Sequence, residues 1–308
     1  MKKHINDWKS IFHQYEMPEC FSNATIQALS GYPHIFFVSA GNNSFVVKKV
    51  ARSKENSLDE LFESFLNNKY ILFPLVTNEG HYFAKSDTHL FLLYPRIGEI
   101  KEPPSYDWWG RCLSSIHNSE AKIKSSSRSW IDDECEAVHL LNDAKRFMED
   151  DIYCRLIDLL NYGLSVPINP SIRCVICHSD PSQNNVLVAS SGYKLIDMEN
   201  CMFAPPEYDI QHLLWNYSIA FEKYNEWEFF CKGVLKSYIS NAKLNVDCLL
   251  LIRTLCFDFV KCISWLYLVS NDSSREDQNR QAKELASFNK RLRQDWLAHI
   301  INYIHLKT

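Results

Sequence analysis

Short apolar runs separated by polar residues dominate the first hundred positions of the chain. They are rich in aromatic and β-branched residues, which favours strands over helices. The runs lie at 35–39, 45–50, 82–85 and 90–94. Gly41, Asn42 and Asn43 separate the first two runs with residues that tolerate positive φ, as a hairpin turn requires. The pattern therefore predicts an antiparallel sheet in the amino-terminal part.

Helical spacing of apolar residues begins the chain and dominates it beyond Trp108. An opening helix is predicted from Ile5 to Tyr15, and a second helix from 58 to 66. Ser57 followed by Glu60 forms a capping-box pattern at the start of that second helix. The later helical segments lie at 132–148, 205–217, 249–269 and 285–300. The carboxy-terminal part is therefore predicted to be mainly helical.

The densest polar pattern is His178-Ser-Asp180-Pro-Ser-Gln-Asn-Asn185, followed later by Leu-Ile-Asp197-Met-Glu199. Apolar runs before, between and after these residues predict a strand that leads into a loop and then a hairpin. If the hairpin turn is centred near Ser191, Asn185 lies opposite Asp197, and cross-strand neighbours are about 5.5 Å apart. A carboxylate and an amide carbonyl are oxygen ligands of the kind that Mg²⁺ takes. The spacing therefore predicts a metal site.

Asp180 lies before the hairpin, where a carboxylate can orient a substrate hydroxyl and accept its proton. His178 is expected to brace the loop backbone. Taken singly, these polar residues are also common in ordinary loops, where they form local hydrogen bonds. The ordered set favours a phosphoryl-transfer site, with Asp180 as the base.

These motifs, together with Pro205-Pro206-Glu-Tyr-Asp209, resemble the aminoglycoside phosphotransferase and choline kinase superfamily. The resemblance is strongest over residues 174–210. It implies an α+β, protein-kinase-like two-lobed fold, with an antiparallel sheet and leading helix in residues 1–97 and a helical catalytic and substrate lobe in residues 98–308. It further implies Asp180 as catalytic base, Asn185 and Asp197 as Mg²⁺ ligands, Asp209 as a brace of the catalytic loop, and ATP or GTP as the phosphoryl donor.

The resemblance also implies nucleotide contacts in the amino-terminal lobe. Lys48, in Phe-Val-Val-Lys48-Lys49, is the predicted contact to the α- and β-phosphates, although strand alternation alone would allow either lysine to face the site. Two roles remain open for Glu60, as the helix cap or as the ion-pair partner of that lysine. The segment from Tyr94 to Ile97 is the predicted hinge, whose backbone would bind the adenine edge.

Two departures separate the chain from protein kinases. No glycine follows Asp197 where a D-F-G motif requires one, and seven residues separate Asp197 from Pro205, too few for an activation segment. A small-molecule acceptor is therefore favoured. No G-x-G-x-x-G motif occurs in the first hundred residues, so Gly31 is the candidate for the phosphate turn.

Composition narrows the class of protein further. The chain has 308 residues, of which 46% are hydrophobic and 23% charged, and this length allows two lobes. A net charge of −4 gives no basis for binding nucleic acid or an anionic membrane. Residues 249–269 include Arg253, Asp258 and Lys261, which favours a core helix over a membrane span, and Asp258 could contact substrate.

The eleven cysteines lie scattered, many in apolar runs, and the amino terminus is polar at once. A cytoplasmic protein with reduced thiols fits this usage best. Cys174-Val-Ile-Cys177-His178 matches a haem-attachment pattern, but Val175 and Ile176 favour a strand, so haem is disfavoured. The oligomeric state is not predicted.

The acceptor is the least determined part of the prediction. Acidic and aromatic residues occur together in the carboxy-terminal part, a mixture that can bind an amine through ion pairing and cation–π contact but that is also typical of a solvated helix face with core aromatics. An aminoglycoside-like or other hydroxylated antibiotic is the first acceptor class, as for a resistance kinase. The alternatives are a choline, sugar or amino-acid alcohol kinase, and a catalytically silent nucleotide-binding protein like spore-coat relatives. The catalytically silent alternative is disfavoured because Asp180, Asn185 and Asp197 are all present.

Overall fold

The computed structural model describes residues 5–15, 24–29, 32–96, 103–120, 129–169, 171–220 and 224–269, and the chain divides into two compact units. Unit 1 comprises Met1–Pro103, Ser119–Lys124 and Asn184–Asn200. Unit 2 comprises Pro104–Asn118, Ser125–Gln183 and Cys201–Thr308. The hairpin after the Asp180 loop therefore belongs to unit 1, whereas the sequence prediction placed it in the carboxy-terminal lobe.

Unit 1 is built on a five-stranded antiparallel sheet in the order β1-β2-β3-β5-β4. The strands are β1 Thr25–Leu29, β2 Tyr32–Ala40, β3 Asn43–Ala51, β4 Ala84–Lys85 and β5 His89–Pro95. The predicted β2–β3 hairpin is confirmed, and Gly41 supplies its positive φ of 60°. The edge strand β1 was missed because most of its side chains are exposed and its pairing depends on backbone hydrogen bonds to β2.

Two helices, α1 Ile5–His13 and α2 Glu55–Glu63, complete the amino-terminal part of unit 1. On α1, the Trp8 ring lies 4.9 Å from the Phe36 ring of β2, so the predicted opening helix packs on the sheet. The predicted capping box of α2 is wrong. A 3₁₀ turn runs directly into the helix, which begins at Glu55. Ser57 therefore lies within the helix instead of capping it, and its Oγ donates to the carbonyl of Lys54, the residue before the helix.

Unit 1 also contains the hairpin of β7 Val186–Ala189 and β8 Gly192–Leu195. Leu195 exchanges backbone hydrogen bonds with the segment before β4, since its N–H donates to the Tyr70 carbonyl over 2.7 Å and its carbonyl accepts from Leu72 over 2.9 Å. The hairpin is thus joined to the rest of its unit by main-chain contacts.

Unit 2 is mainly helical, and the predicted α+β division of the chain is confirmed. Its described elements are α3 Tyr106–His117, α4 Trp130–Ala144, α5 Asp150–Ser165, β6 Val175–Cys177, β9 Met202–Ala204, α6 Pro206–Ala220, α7 Tyr224–Asn241 and α8 Cys248–Val269. The strands β6 and β9 pair antiparallel. The helix predicted at 285–300 lies outside the described residues. None of the helices described is long and apolar enough to cross a membrane.

The helices α3 and α7 touch at Gly110 almost backbone to backbone. A Cβ atom placed on Gly110 would lie 2.5 Å from the Ser237 Cβ and 2.7 Å from the Tyr238 nitrogen. Real Cβ atoms do not approach other atoms so closely, so a side chain at this position would push the two helices apart.

A buried ion pair joins α4 to α8. The guanidinium of Arg253 donates from Nε to Glu134 Oε1 over 2.7 Å and from Nη2 to Glu134 Oε2 over 2.6 Å. Nη1 of the same group donates to the carbonyls of Gly163 and Val166, at the end of α5. The positive charge of Arg253 is therefore matched by the negative charge of Glu134, and all three guanidinium nitrogens donate hydrogen bonds.

Glu207, in the first turn of α6, gives the stability of unit 2 a pH dependence. Its side chain is buried, and Oε1 accepts a hydrogen bond of 2.5 Å from the Asp247 nitrogen. Burial raises the pKa of Glu207 to about 7. The folded state therefore holds this proton more tightly than the unfolded state, and the associated stability is lost as pH rises towards and through 7.

We expect Glu207→Gln to become more stable relative to the parent chain as pH rises from 5 to 8. Glutamine keeps the hydrogen-bond acceptor but has no charge to bury, so the difference in unfolding free energy should grow by roughly 1–3 kcal/mol. Urea unfolding at several pH values measures this difference, with the exposed Glu60→Gln as the matched control. A difference that is constant with pH would contradict the assignment.

Candidate active site

The sheet of unit 1 presents Lys48 of β3 to two carboxylates. Its Nζ forms ion pairs with Asp197 Oδ1 and Glu199 Oε1, and 11% of the lysine side chain is exposed. Burial by itself would lower the pKa of Lys48, but the charges of Glu199 and Asp197 outweigh burial and raise it. Lys48 therefore stays positively charged and is held in place by the two ion pairs. Because side chains alternate along a strand, Lys49 lies on the opposite face, and Lys48 is the lysine directed at the carboxylates.

Glu199 was not among the predicted site residues. It lies in the 3₁₀ turn Met198–Asn200, directly after Asp197, and its side chain is 3% exposed. Lys54 holds this turn, since its Nζ donates to the Glu199 carbonyl over 2.7 Å and to Asn200 Oδ1 over 2.5 Å. The predicted partner Glu60 is exposed on α2, and the structure pairs Lys48 with Asp197 and Glu199 instead.

The predicted hairpin register is wrong by one residue. Val186 pairs with Leu195 and Ala189 with Gly192, so Asn185 lies beside Ile196, whose N–H donates to the Asn185 carbonyl over 2.8 Å. The cause is a two-residue turn, with Gly192 drawn into the strand at a φ of 102°.

Asp197 follows the strand in the left-handed region, with a φ of 71°. Strand alternation therefore no longer determines the direction of its side chain, and the conformation costs energy that surrounding contacts must offset. The contact with Lys48 is one such restraint. Strained backbone of this kind is found often at functional sites.

The oxygen donors of unit 1 fit a hard divalent cation. Asn185 is buried, the Asp197 side chain is 26% exposed, and both carry the oxygens that Mg²⁺ prefers. Glu199 Oε2 is buried and has no hydrogen-bond partner among the described residues. A buried carboxylate oxygen in this position is costly unless a cation or donor satisfies it.

The predicted hinge is described in part. Tyr94 lies near the end of β5 with its side chain buried. Burial, followed by the charges of Glu199 and Asp197, raises the pKa of the Tyr94 phenol well above its usual range, so the phenol remains protonated. Ile97 lies outside the described residues, and the backbone contacts to adenine stay a prediction.

In unit 2, a short loop after β6 carries Asp180. The Asp209 carboxylate accepts from the His178 nitrogen over 2.6 Å and from the Ser179 nitrogen over 2.8 Å. Ser179 has a φ of 73°, and the Asp180 nitrogen donates to His178 Nδ1 over 3.2 Å. The predicted bracing of this loop by Asp209 and His178 is confirmed.

Asp209 is itself held by α3. His117 Nε2 lies 3.0 Å from Asp209 Oδ2, and His117 Nδ1 lies 2.8 Å from the hydroxyl of Tyr238 on α7. Burial would raise the pKa of Asp209, but the hydrogen bond and charge of His117 and further contacts to His178 lower it overall. Asp209 therefore stays ionised, and its two loop contacts are charge-assisted.

The Asp180 side chain is 55% exposed. Its Oδ1 lies 3.5 Å from Nε2 of His212 on α6, and His212 Nδ1 lies 3.5 Å from Asp258 Oδ1 on α8. His212 was not predicted. Its position three residues after Asp209 on one helix is the signal that could have identified it, because residues at that spacing share a face.

A pocket within unit 2 adjoins this group. Its lining combines aromatic, acidic and amide side chains, among them Trp130, Tyr208, Phe257, Asp133, Gln211 and Asp258. Lys261 pairs with Asp133 at 3.1 Å. Asp258 Oδ2 and Gln211 Oε1 are buried and have no hydrogen-bond partner in the described part of the chain. The pocket thus carries acceptor oxygens that an occupant with N–H or O–H groups would satisfy.

No protein-family model and no curated protein sequence matches this chain. Solved structures do match. An aminoglycoside phosphotransferase from Alicyclobacillus acidocaldarius is 13% identical with a TM-score of 0.69, and the alignment covers 96% of each chain. An amicoumacin kinase in complex with AMP-PNP, Ca²⁺ and Ami is 13% identical with a TM-score of 0.65, covering 93% of this chain and 94% of that one.

A choline/ethanolamine kinase family protein from Mesorhizobium loti is 10% identical with a TM-score of 0.58, covering 98% of this chain and 99% of that one. At these identities the likeness establishes the fold. The expectation from the sequence motifs is therefore confirmed at that level.

Proposed function

We propose that this chain, which has the protein-kinase-like fold of the aminoglycoside phosphotransferases and choline kinases, transfers the γ-phosphoryl group of ATP or GTP to a hydroxyl of a small molecule. The observation that carries the proposal is the contact of a strand lysine, Lys48, with Asp197 and Glu199. A fixed cation beside oxygen donors suits the phosphates of a metal-bound nucleotide. The solved structures of the same fold that are named as kinases add support.

The roles follow from the chemistry of each group. Asn185, Asp197 and Glu199 would hold Mg²⁺, which when bound neutralises charge on the phosphates. Lys48 contacts the α- and β-phosphates and exchanges part of its carboxylate contact for them. Asp180 orients the acceptor hydroxyl. As the new oxygen–phosphorus bond forms and the bond to the bridging oxygen breaks, Asp180 accepts the hydroxyl proton and the nucleoside diphosphate leaves.

The pocket of unit 2 supports an acceptor that bears an amine. Asp258 and Gln211 offer acceptor oxygens, and Trp130, Tyr208 and Phe257 offer aromatic surface. A primary ammonium group can donate hydrogen bonds to these oxygens, whereas a quaternary ammonium cannot. An aminoglycoside-like or other amino-bearing hydroxylated antibiotic is therefore favoured over choline, with amino-acid alcohols as metabolite alternatives.

We expect nucleotide binding to depend on the metal. ATP or GTP with Mg²⁺ at about 100 times its Kd should stabilise the protein by about 2.7 kcal/mol, and chelation of the metal should remove most of the shift. Asp197→Ala should lose the shift, while Asp87→Ala, which changes an exposed carboxylate of the same unit, should keep it. Thermal unfolding measures both. An equal nucleotide shift in EDTA would refute the metal assignment.

Turnover is tested separately with a panel of hydroxylated acceptors, in matched pairs with and without an amino group. Formation of nucleoside diphosphate and of phosphorylated product in a one-to-one ratio supports the proposal. A protein that binds metal–nucleotide and phosphorylates none of the panel would instead be a nucleotide-binding module.

A further inference from the structure

We propose that His212 is a positioning residue, an imidazolium held between Asp258 and Asp180 that orients the Asp180 carboxylate towards the acceptor hydroxyl. This inference rests on the proposed function and deepens it. All three side chains belong to unit 2, and none of the sequence motifs includes His212.

The position of the ring between two carboxylates favours one protonation state. One ring nitrogen of His212 faces Asp180 and the other faces Asp258, each at 3.5 Å. A neutral imidazole has one N–H group and one lone pair, so it would direct a lone pair at one of the two carboxylates. The doubly protonated ring has an N–H on each nitrogen and places a positive charge between the two carboxylates. Two flanking carboxylates therefore select the imidazolium.

The two carboxylates differ in solvent exposure, and therefore in the effect that the imidazolium has on each. The Asp258 side chain is 10% exposed, so its charge requires a partner inside the protein. Asp180 is 55% exposed, so solvent already screens much of its charge. His212 compensates the first charge and restrains the second. The distances of 3.5 Å exceed those of a hydrogen bond, so attraction between charges is what joins the three groups.

The groups around His212 are consistent with a permanent charge. Burial alone would lower the pKa of His212, but Asp258 and then Asp180 raise it to about 10. Tyr208 stacks its ring at 6.5 Å, and the pKa of Cys262, on α8, is raised first by burial and then by Asp258. Lys261, a cation that lines the pocket beside Asp258, is paired with Asp133 and Glu136.

This role differs from that of Asp209, although both residues lie on α6. Asp209 binds backbone N–H groups at positions 178 and 179, and so fixes the path of the loop. His212 contacts the carboxylate of Asp180 itself. One helix therefore supplies two restraints, the first on the main chain of the loop and the second on its reactive side chain.

The charge of His212 can be measured without any acceptor. In protein labelled with ¹⁵N-histidine, two-bond ¹H–¹⁵N spectra distinguish protonated from neutral rings, and His212→Gln identifies the signal. We expect both nitrogens of His212 to be protonated at pH 8 and Asp258→Asn to lower the midpoint of its titration. A neutral His212 at pH 8 would overturn the proposal, whether or not the chain proves to be a kinase.

The positioning role is measured with an acceptor that the parent chain phosphorylates. His212→Gln should lower kcat by roughly 10- to 100-fold, since small misplacement of a reacting group costs up to about 100-fold. Nucleotide affinity and the KM for the acceptor should change little. The control is His139→Gln, which alters an exposed histidine of α4.

Asp258→Asn should also lower kcat, and adding it to His212→Gln should give no further loss of kcat, because residues in one network are not additive. Unchanged kcat in a folded His212→Gln protein would overturn the positioning role. Equal losses in nucleotide affinity and kcat would instead indicate a structural residue. If the parent chain is inactive with every acceptor, the proposed function fails, and the spectra alone decide the charge of His212.

Discussion

Replacing Asp180 with asparagine is expected to lower the rate of phosphoryl transfer by roughly 10²–10⁴-fold, the usual contribution of a general base. Asparagine keeps the size and some hydrogen bonding of aspartate but cannot accept the proton. Nucleotide affinity should stay nearly constant, because Lys48, Asn185 and Asp197 are the groups assigned to the nucleotide and its metal. Single-turnover kinetics with a productive acceptor, alongside calorimetric titration with nucleotide, separate the two quantities.

Asp143→Asn serves as the matched control, since Asp143 is exposed on α4. The braces of the loop are main-chain contacts from Asp209 and His178, so Asp180→Asn should retain the loop and melt near the parent temperature. A variant that turns over as fast as the parent would exclude Asp180 as the base. A variant that loses nucleotide affinity to the same degree would place Asp180 in nucleotide binding.

Removing one partner of the Glu134–Arg253 pair is expected to have the largest effect on stability, a loss of about 3–5 kcal/mol in Glu134→Ala. The variant leaves the guanidinium of Arg253 buried, with hydrogen bonds to two carbonyls but no opposite charge. Urea unfolding of unit 2, monitored by tryptophan fluorescence, measures the change. The double variant Glu134→Met/Arg253→Met should recover much of the loss, because neither charge then remains buried.

The exposed pair Asp151–Arg155 provides the comparison, with side chains that are 51% and 59% exposed. Asp151→Ala should change the free energy of unfolding by less than about 1 kcal/mol. Equal losses for the buried and the exposed pair would show that burial of the Arg253 charge is not the cause.

Patterns local in sequence allowed much of this structure to be predicted. Strands β2, β3 and β5 of unit 1 and helices α4, α6 and α8 of unit 2 follow from the spacing of apolar residues, whereas β1, α5 and α7 were not among the predicted elements. The bracing of the Asp180 loop followed from a resemblance carried by contiguous motifs, and the contacts of Asp209 bear it out. Lys48 was favoured over Lys49 on the same grounds, and the side chain of Lys48 is the one that meets Asp197.

The features that were missed depend on geometry that local patterns do not encode. The hairpin register turned on whether the turn contains two residues or three, and Ser190, Ser191 and Gly192 allow either. The contact of Lys48 with Glu199 joins residues that are 151 positions apart. It follows a residue, Asp197, whose backbone is left-handed, a conformation that the sequence pattern does not predict. His212 gains its role from two carboxylates on separate elements.

The close approach at Gly110 has a consequence at a distance. The helix that contains it ends in His117, which holds Asp209, and Asp209 in turn sets the path of the chain before Asp180. The path of the loop before Asp180 thus depends on the absence of a side chain at Gly110 of α3. A substitution that separates α3 from α7 is therefore expected to displace the loop before Asp180, although neither helix contacts that carboxylate in the described contacts.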